Sequence, residues 1–134
     1  MLFPISRQSG VRPGRFVWGE EFPSQERMNY GDQIGATTPV GAYPAGVSYY
    51  GAHNMGGNVH EWTADFYDGN YYASSPALDP MGPDTGALRV VRGASWNVGV
   101  PLEALTATVR QAFQPTTSAN SLGFRCARTQ PPGQ

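Results

Sequence analysis

The chain has 134 residues, enough for one domain with a modest core. Its formal net charge of −1 gives no basic surface for nucleic acid or an anionic membrane, so neither partner is expected. With 17 glycines, 12 prolines and only 14% charged residues, the composition suits a loop-rich globular domain, and 12% aromatic residues argue against disorder.

Residues 1–15 mix Pro, Gly, Arg and apolar residues without a period and form an N-terminal segment of unclear role. The start Met1-Leu2-Phe3-Pro4 has no basic stretch leading into a long apolar run, so no signal peptide and no transmembrane helix is expected. Phe16 to Glu21 reads as a short aromatic strand or turn, Thr37 to Pro44 as extended chain, and Ser48 to His53 as a short strand or helical turn. Thr and aromatic residues predict a strand from Val59 that ends at Asp65. Residues 68–87 read as a long surface loop, Leu88 to Gly93 as a second strand and Leu122 to Arg128 as a final one. The tail 129–134 is expected to be flexible. Cys126, the one cysteine, permits no intrachain disulfide and no thiolate zinc site; in the final strand it reads as a buried, inert thiol.

Asn54-Met55-Gly56-Gly57-Asn58-Val59-His60-Glu61-Trp62 concentrates oxygen donors and a large indole in a tight turn. Hard cations such as calcium favour carboxylates, amides and main-chain carbonyls of this kind. Residues 57, 59 and 61 alternate on an extended segment and can present oxygens to one point. The alternative is that Glu61 is a buried carboxylate satisfied within the protein and the glycines only make a turn. His60 faces away from Val59 and Glu61 in a strand and reads as packed or solvent-exposed, and His53 is isolated. Asp65, Asp68, Asp79 and Asp84 read as solvated carboxylates.

Three blocks, Asn54–Asp65, Arg89–Asn97 and Leu122–Arg128, resemble the C-terminal half of the formylglycine-generating-enzyme (sulfatase-modifying factor) domain. Phe16–Tyr30 resembles that family's aromatic-Trp-Gly segment, and Thr37–Pro44 its Thr-Pro-Val-Gly segment. The resemblance covers residues 16–128. It implies an α+β fold of the C-type-lectin-like kind, with short antiparallel strands and much irregular structure. It also implies a structural calcium held by the Asn54 amide, the carbonyls of Gly57 and Val59, and the Glu61 carboxylate. A second cation site would involve Asn29 and Tyr30, with Asp32 the nearby carboxylate. Oxidase members carry a redox cysteine pair after the segment matched by Ser95-Trp96-Asn97. Here Val98 to Glu103 supplies neither cysteine, so no copper-oxidase chemistry and no catalytic residue is expected.

Residues 98–121 lie between two family blocks and carry only Glu103 and Arg110 as charges. The arrangement resembles the variable region of diversity-generating retroelement proteins, which share this fold. Adenine mutation of Asn codons in such a region reaches Val, Gly, Ala, Thr, Ser, Leu and Phe. The implied binding surface is Val98, Gly99, Val100, Leu102, Ala104, Thr106, Thr108, Ala112, Phe113, Thr116, Thr117, Ser118, Ala119 and Ser121. Glu103, Gln111 and Gln114 would be fixed. Arg92, Trp96, Phe124 and Arg125 would support the surface, and an apolar patch of Val98, Val100, Leu102 and Phe113 favours a protein ligand. The expectation is a non-enzymatic binding protein. The alternatives are a sulfatase-modifying domain that has lost its catalytic residues or takes them from elsewhere, and a structural module of a larger complex.

Overall fold

The computed structural model describes residues 14–78, 80–99 and 101–127. The expectations for residues 1–13, Asp79, Val100, Arg128 and the tail 129–134 lie outside the described residues.

Four short strands form one sheet. They are β1 (His60–Phe66), β2 (Arg89–Arg92), β3 (Arg110–Phe113) and β4 (Leu122–Gly123), in the spatial order β3-β2-β1-β4. Among the described residues, a single helical turn, α1 (Tyr71–Ser74), and 3-10 turns at Pro44–Gly46 and Leu102–Leu105 are the helical content. β1 runs one residue past the expected end at Asp65, because Phe66 still pairs with Arg89 beyond a bulge. β2 stops before Gly93, whose φ of +73° turns the chain out of the sheet.

Two expectations about the strands are corrected. The sheet is mixed: β1 pairs antiparallel with β2 and β2 with β3, but β4 lies parallel to β1. The final strand is also only Leu122–Gly123, so Cys126 lies beyond the sheet, where no face covers it, and its side chain is exposed rather than buried. β3 falls in a segment with few sequence signals. Arg-Gln-Ala-Phe has modest strand preference, and pairing along its whole length with the buried strand β2 imposes the extended form.

The core has two parts. Val90 and Val91, 4% and 0% exposed, point to opposite faces of β2 and are both covered, so the middle of the sheet is enclosed on both sides. Beside it Phe16, Met28, Ala94 and Leu105 form a cluster with Trp18, Tyr30, Val98 and Leu102 packed against it. Phe16 and Trp18 stack with ring centroids 5.6 Å apart, within the tight turn closed by Phe16 and Gly19. Irregular segments are held chiefly by backbone and side-chain hydrogen bonds rather than regular ladders, which is how a chain with so much Gly and Pro satisfies its buried amides.

Candidate functional site

The Asn54–Trp62 segment is the junction of the fold. Asn54 and Asn58 adopt φ of +52° and +67°, which Asn tolerates better than other non-glycine residues. Asn58 donates its backbone N–H to the Asn29 carbonyl and accepts from the Trp96 N–H, both at 2.9 Å. Its side-chain oxygen accepts from the Thr38 N–H at 2.8 Å and its amide donates to the Thr38 carbonyl. One residue thus joins three separate stretches of sequence, through its backbone and its side chain. Gly57 is required beside it: φ is +79°, and an added Cβ would lie 2.7 Å from the Asn29 carbonyl oxygen.

Glu61 is buried, and its carboxylate is held by Arg125. The guanidinium Nε donates to Oε2 at 2.6 Å and Nη2 to Oε1. The same guanidinium donates to the carbonyls of His53 and Asn54 at 3.1 Å each. Glu61 was expected to serve a calcium ion; in the structure a protein cation takes both of its oxygens, so the carboxylate does not fit a free ligand role. Asn54 fits better. Its amide nitrogen is buried without a partner among the described residues, and turning the amide by 180° would put the oxygen there instead. Among the described residues, no group of three or more His, Cys, Asp and Glu side chains could hold a metal ion. At the second expected cation position, Asn29 is buried and its amide donates to the Ala36 carbonyl at 2.8 Å. Asp32 there donates its backbone N–H to the Trp96 carbonyl. Asn29 and Tyr30 also help line a cleft of about 180 Å³ with Met28, Ile34 and Tyr43.

His60 faces the opposite way from Glu61, as the strand alternation predicts, and is packed rather than solvent-exposed. It is buried, its Nδ1 lies 2.8 Å from the Gly93 carbonyl, and its ring meets Phe113 edge-on at 6.2 Å. Burial lowers its pKa below the ordinary imidazole range, and the hydrogen bond to Gly93 pulls the other way. Trp62 meets the same Phe113 ring, also at 6.2 Å.

Residues 98–121 divide into scaffold and surface, which corrects the expected apolar patch. Val98 and Leu102 pack against the core cluster, Leu105 belongs to it, and Phe113 is wedged on His60 and Trp62. Gly99, Ala104, Thr106, Ala112 and Ser121 are half-buried; the Ser121 carbonyl accepts the His60 N–H at 2.8 Å. Thr108 and the run Thr116, Thr117, Ser118 and Ala119 are exposed. The supports also differ from expectation in one member. Arg92 is buried and donates to the Ala107 and Thr108 carbonyls, Trp96 is buried and Arg125 anchors Glu61, but Phe124 is 75% exposed. Of the carboxylates read as solvated loop groups, Asp65 instead lies in β1 and is half-buried, while Asp68 accepts the Asn70 N–H at 2.8 Å. In the stretch that follows Ser95-Trp96-Asn97, Val98 packs against the core and Glu103 is a surface carboxylate paired with Arg15 at 3.3 Å.

Sequence reasoning missed Asn58 as the junction residue; the Gly-Gly-Asn run, with Asn favouring left-handed backbone, was the available signal. It also missed a cluster of Arg110 with Tyr67 and Tyr72. The Arg110 guanidinium lies over the Tyr72 ring at 4.1 Å and the Tyr67 ring at 5.4 Å.

This mixed, loop-dominated sheet with its Asn54–Glu61 junction is the C-type-lectin-like α+β fold of formylglycine-generating enzymes. Solved structures share it, two of them as follows. PvdO from Pseudomonas aeruginosa matches with a TM-score of 0.64 and 26% identity, over 88% of this chain and 46% of that one. Treponema denticola variable protein 1 matches with a TM-score of 0.59 and 26% identity, over 74% of this chain and 34% of that one. The family model of the sulfatase-modifying factor enzyme 1-like domain matches residues 3–130, and the chain belongs to that family. The match begins upstream of residue 16, where the motifs placed the start of the domain. Formylglycine-generating enzyme from Streptomyces coelicolor is 39% identical over 135 residues, which is 90% of this chain and 42% of that protein. Hercynine oxygenase from Mycolicibacterium smegmatis is 40% identical over 63% of this chain and 21% of its own length. The chain therefore spans less than half the length of the curated relatives it matches.

Proposed function

We propose that this chain is a non-enzymatic binding domain on the formylglycine-generating-enzyme scaffold, with a protein as its ligand. Its contact surface is drawn from the exposed residues of 98–121, Thr108 and Thr116 to Ala119 among them, together with half-buried Ala104, Thr106 and Ala112. The observation that carries this reading is the state of the stretch after Ser95-Trp96-Asn97: it holds no cysteine, Val98 packs against the core and Glu103 faces solvent. A second support is the likeness to a protein whose name is variable protein 1. The retroelement form of the reading further requires a reverse-transcriptase gene nearby and a near-duplicate of the 98–121 coding segment, differing at adenines. A complete genome lacking both would remove it. For the enzyme question, the chain is incubated with copper and a cysteine-bearing sulfatase peptide, and formylglycine is sought by mass spectrometry. No turnover is expected, and turnover would overturn the binding-domain reading.

A second reading rests on the 39% identity to the Streptomyces enzyme. In it the chain is a sulfatase-modifying domain that takes its catalytic residues from elsewhere. The same peptide assay, repeated with any gene product encoded beside this one, separates the two. We also propose a structural calcium at Asn54, with the turned amide oxygen joining the carbonyls of Gly57 and Val59 as donors; Glu61 stays with Arg125. The partnerless buried amide of Asn54 supports it.

A further inference from the structure

Arg92 and Arg110 are direct partners across β2 and β3, so both side chains leave the same face of the sheet. Like charges directly opposite one another are destabilising, and each needs its own compensation. Arg92 has it: its guanidinium donates to the Ala107 carbonyl at 2.8 Å and the Thr108 carbonyl at 3.4 Å. Burial lowers its pKa and Arg110 lowers it further, while Tyr72 and Asp65 act in the opposite sense. Arg110 is compensated differently. It is half-buried and held between two aromatic rings, and among the described residues its N–H groups have neither a hydrogen-bond acceptor nor an ion pair.

We propose that Arg110, clamped by Tyr67 and Tyr72, is the docking point for an acidic segment of a protein partner. The clamp fixes the guanidinium plane before any ligand arrives, which reduces the ordering cost of a bidentate contact to a carboxylate. Tyr72 is 64% exposed, so its ring offers apolar area beside the charge. Arg and Tyr are the residue types that dominate protein–protein contact energy. Arg110 lies within residues 98–121, two positions from exposed Thr108, and the proposal rests on the binding-domain reading above. It gives that surface a charge preference that its threonines and serines do not supply.

The test is a nuclear magnetic resonance titration of the isotope-labelled chain with an acetylated hexaglutamate peptide, alongside hexalysine and sodium sulfate. Hexaglutamate should shift the Arg110 Nε–H signal and the Tyr67 and Tyr72 ring signals saturably, and hexalysine should not. Arg110→Gln should weaken the response by about tenfold. Arg110→Lys, which keeps the charge but not the planar fork, should weaken it by an intermediate factor. Shifts centred instead on Arg15 or Arg27, or an unchanged response in Arg110→Gln, would overturn the proposal. Equal shifts with sulfate would also overturn it, leaving a general anion site. The wild-type titration decides the matter even should a variant fail to fold. Failure here leaves the binding-domain reading standing, whereas formylglycine turnover would remove that reading and leave the Arg110 titration intact.

Discussion

Replacing Arg125 with Met tests whether the Arg125–Glu61 pair braces the fold. The Glu61 side chain is 9% exposed and that of Arg125 28%, so the pair is mostly desolvated. The substitution leaves a buried carboxylate without its cation and the carbonyls of His53 and Asn54 without their donor. Breaking a buried pair by removing one partner costs about 3–5 kcal/mol. The partial exposure of Arg125 admits some water to the vacated site, which favours the lower end, about 3 kcal/mol. For a domain of this size each kcal/mol moves the midpoint by roughly 3 °C, so the Tm should fall by about 10 °C. The assay is thermal unfolding followed by near-ultraviolet circular dichroism. Glu61→Gln and the double variant complete a cycle, and the double variant should be less destabilised than the sum of the two singles. A Tm within about 2 °C of wild type for Arg125→Met would refute the reasoning, because it would mean that water compensates Glu61 as well as the guanidinium does.

Gly57→Ala should destabilise by about 2 kcal/mol or more, from left-handed strain plus the clash with the Asn29 carbonyl, read as a fall in the urea midpoint. Burial lowers the folded-state pKa of His60, so the unfolded chain binds the extra proton first. Stability from this residue is present in full above the unfolded value, near 6.5, and is lost as pH falls from there through the folded pKa. Melts at pH 7.5 and 5.5 should differ by more in wild type than in His60→Gln. A calcium ion at Asn54 predicts a higher Tm in calcium than in chelator, with the difference abolished in Asn54→Ala; equal melts would dismiss the ion. Cys126 should react with a thiol reagent in the native state at the rate of a free surface thiol, since it is exposed.

The junction was legible because its chemistry is local. Asn54 to Trp62 announces a turn, a buried carboxylate and a strand within nine residues, and the alternation that sent His60 and Glu61 to opposite faces holds in the structure. What was not legible depends on partners far away in the chain. Glu61 looked like a metal ligand because Arg125, 64 residues on, cannot be paired with it from spacing alone. Val98 and Leu102 looked like surface because an apolar residue in a loop reads the same whether it faces water or Phe16 and Met28. β3 escaped notice because its extension comes from β2, not from its own residues. Arg110 and Tyr72 belong to a strand and a helical turn separated by another strand, so their clamp is a product of topology.

Residues 98–121 leave and rejoin the fold within a few residues of each other. Trp96 is hydrogen-bonded to Asn58, Leu122 pairs with His60, and Gly123 pairs with Glu61. The segment is therefore a closed excursion whose ends are fixed by one short stretch of backbone. Lengthening such a closed loop costs only about 0.6 kcal/mol for each doubling. Its exposed crest at 116–119 lies beyond the last residue of β3 and before β4, so added residues there disturb neither strand. The chain can thus accept changes of length, and not only of residue type, at its crest while the clasp at Asn58–Glu61 keeps the register of everything else.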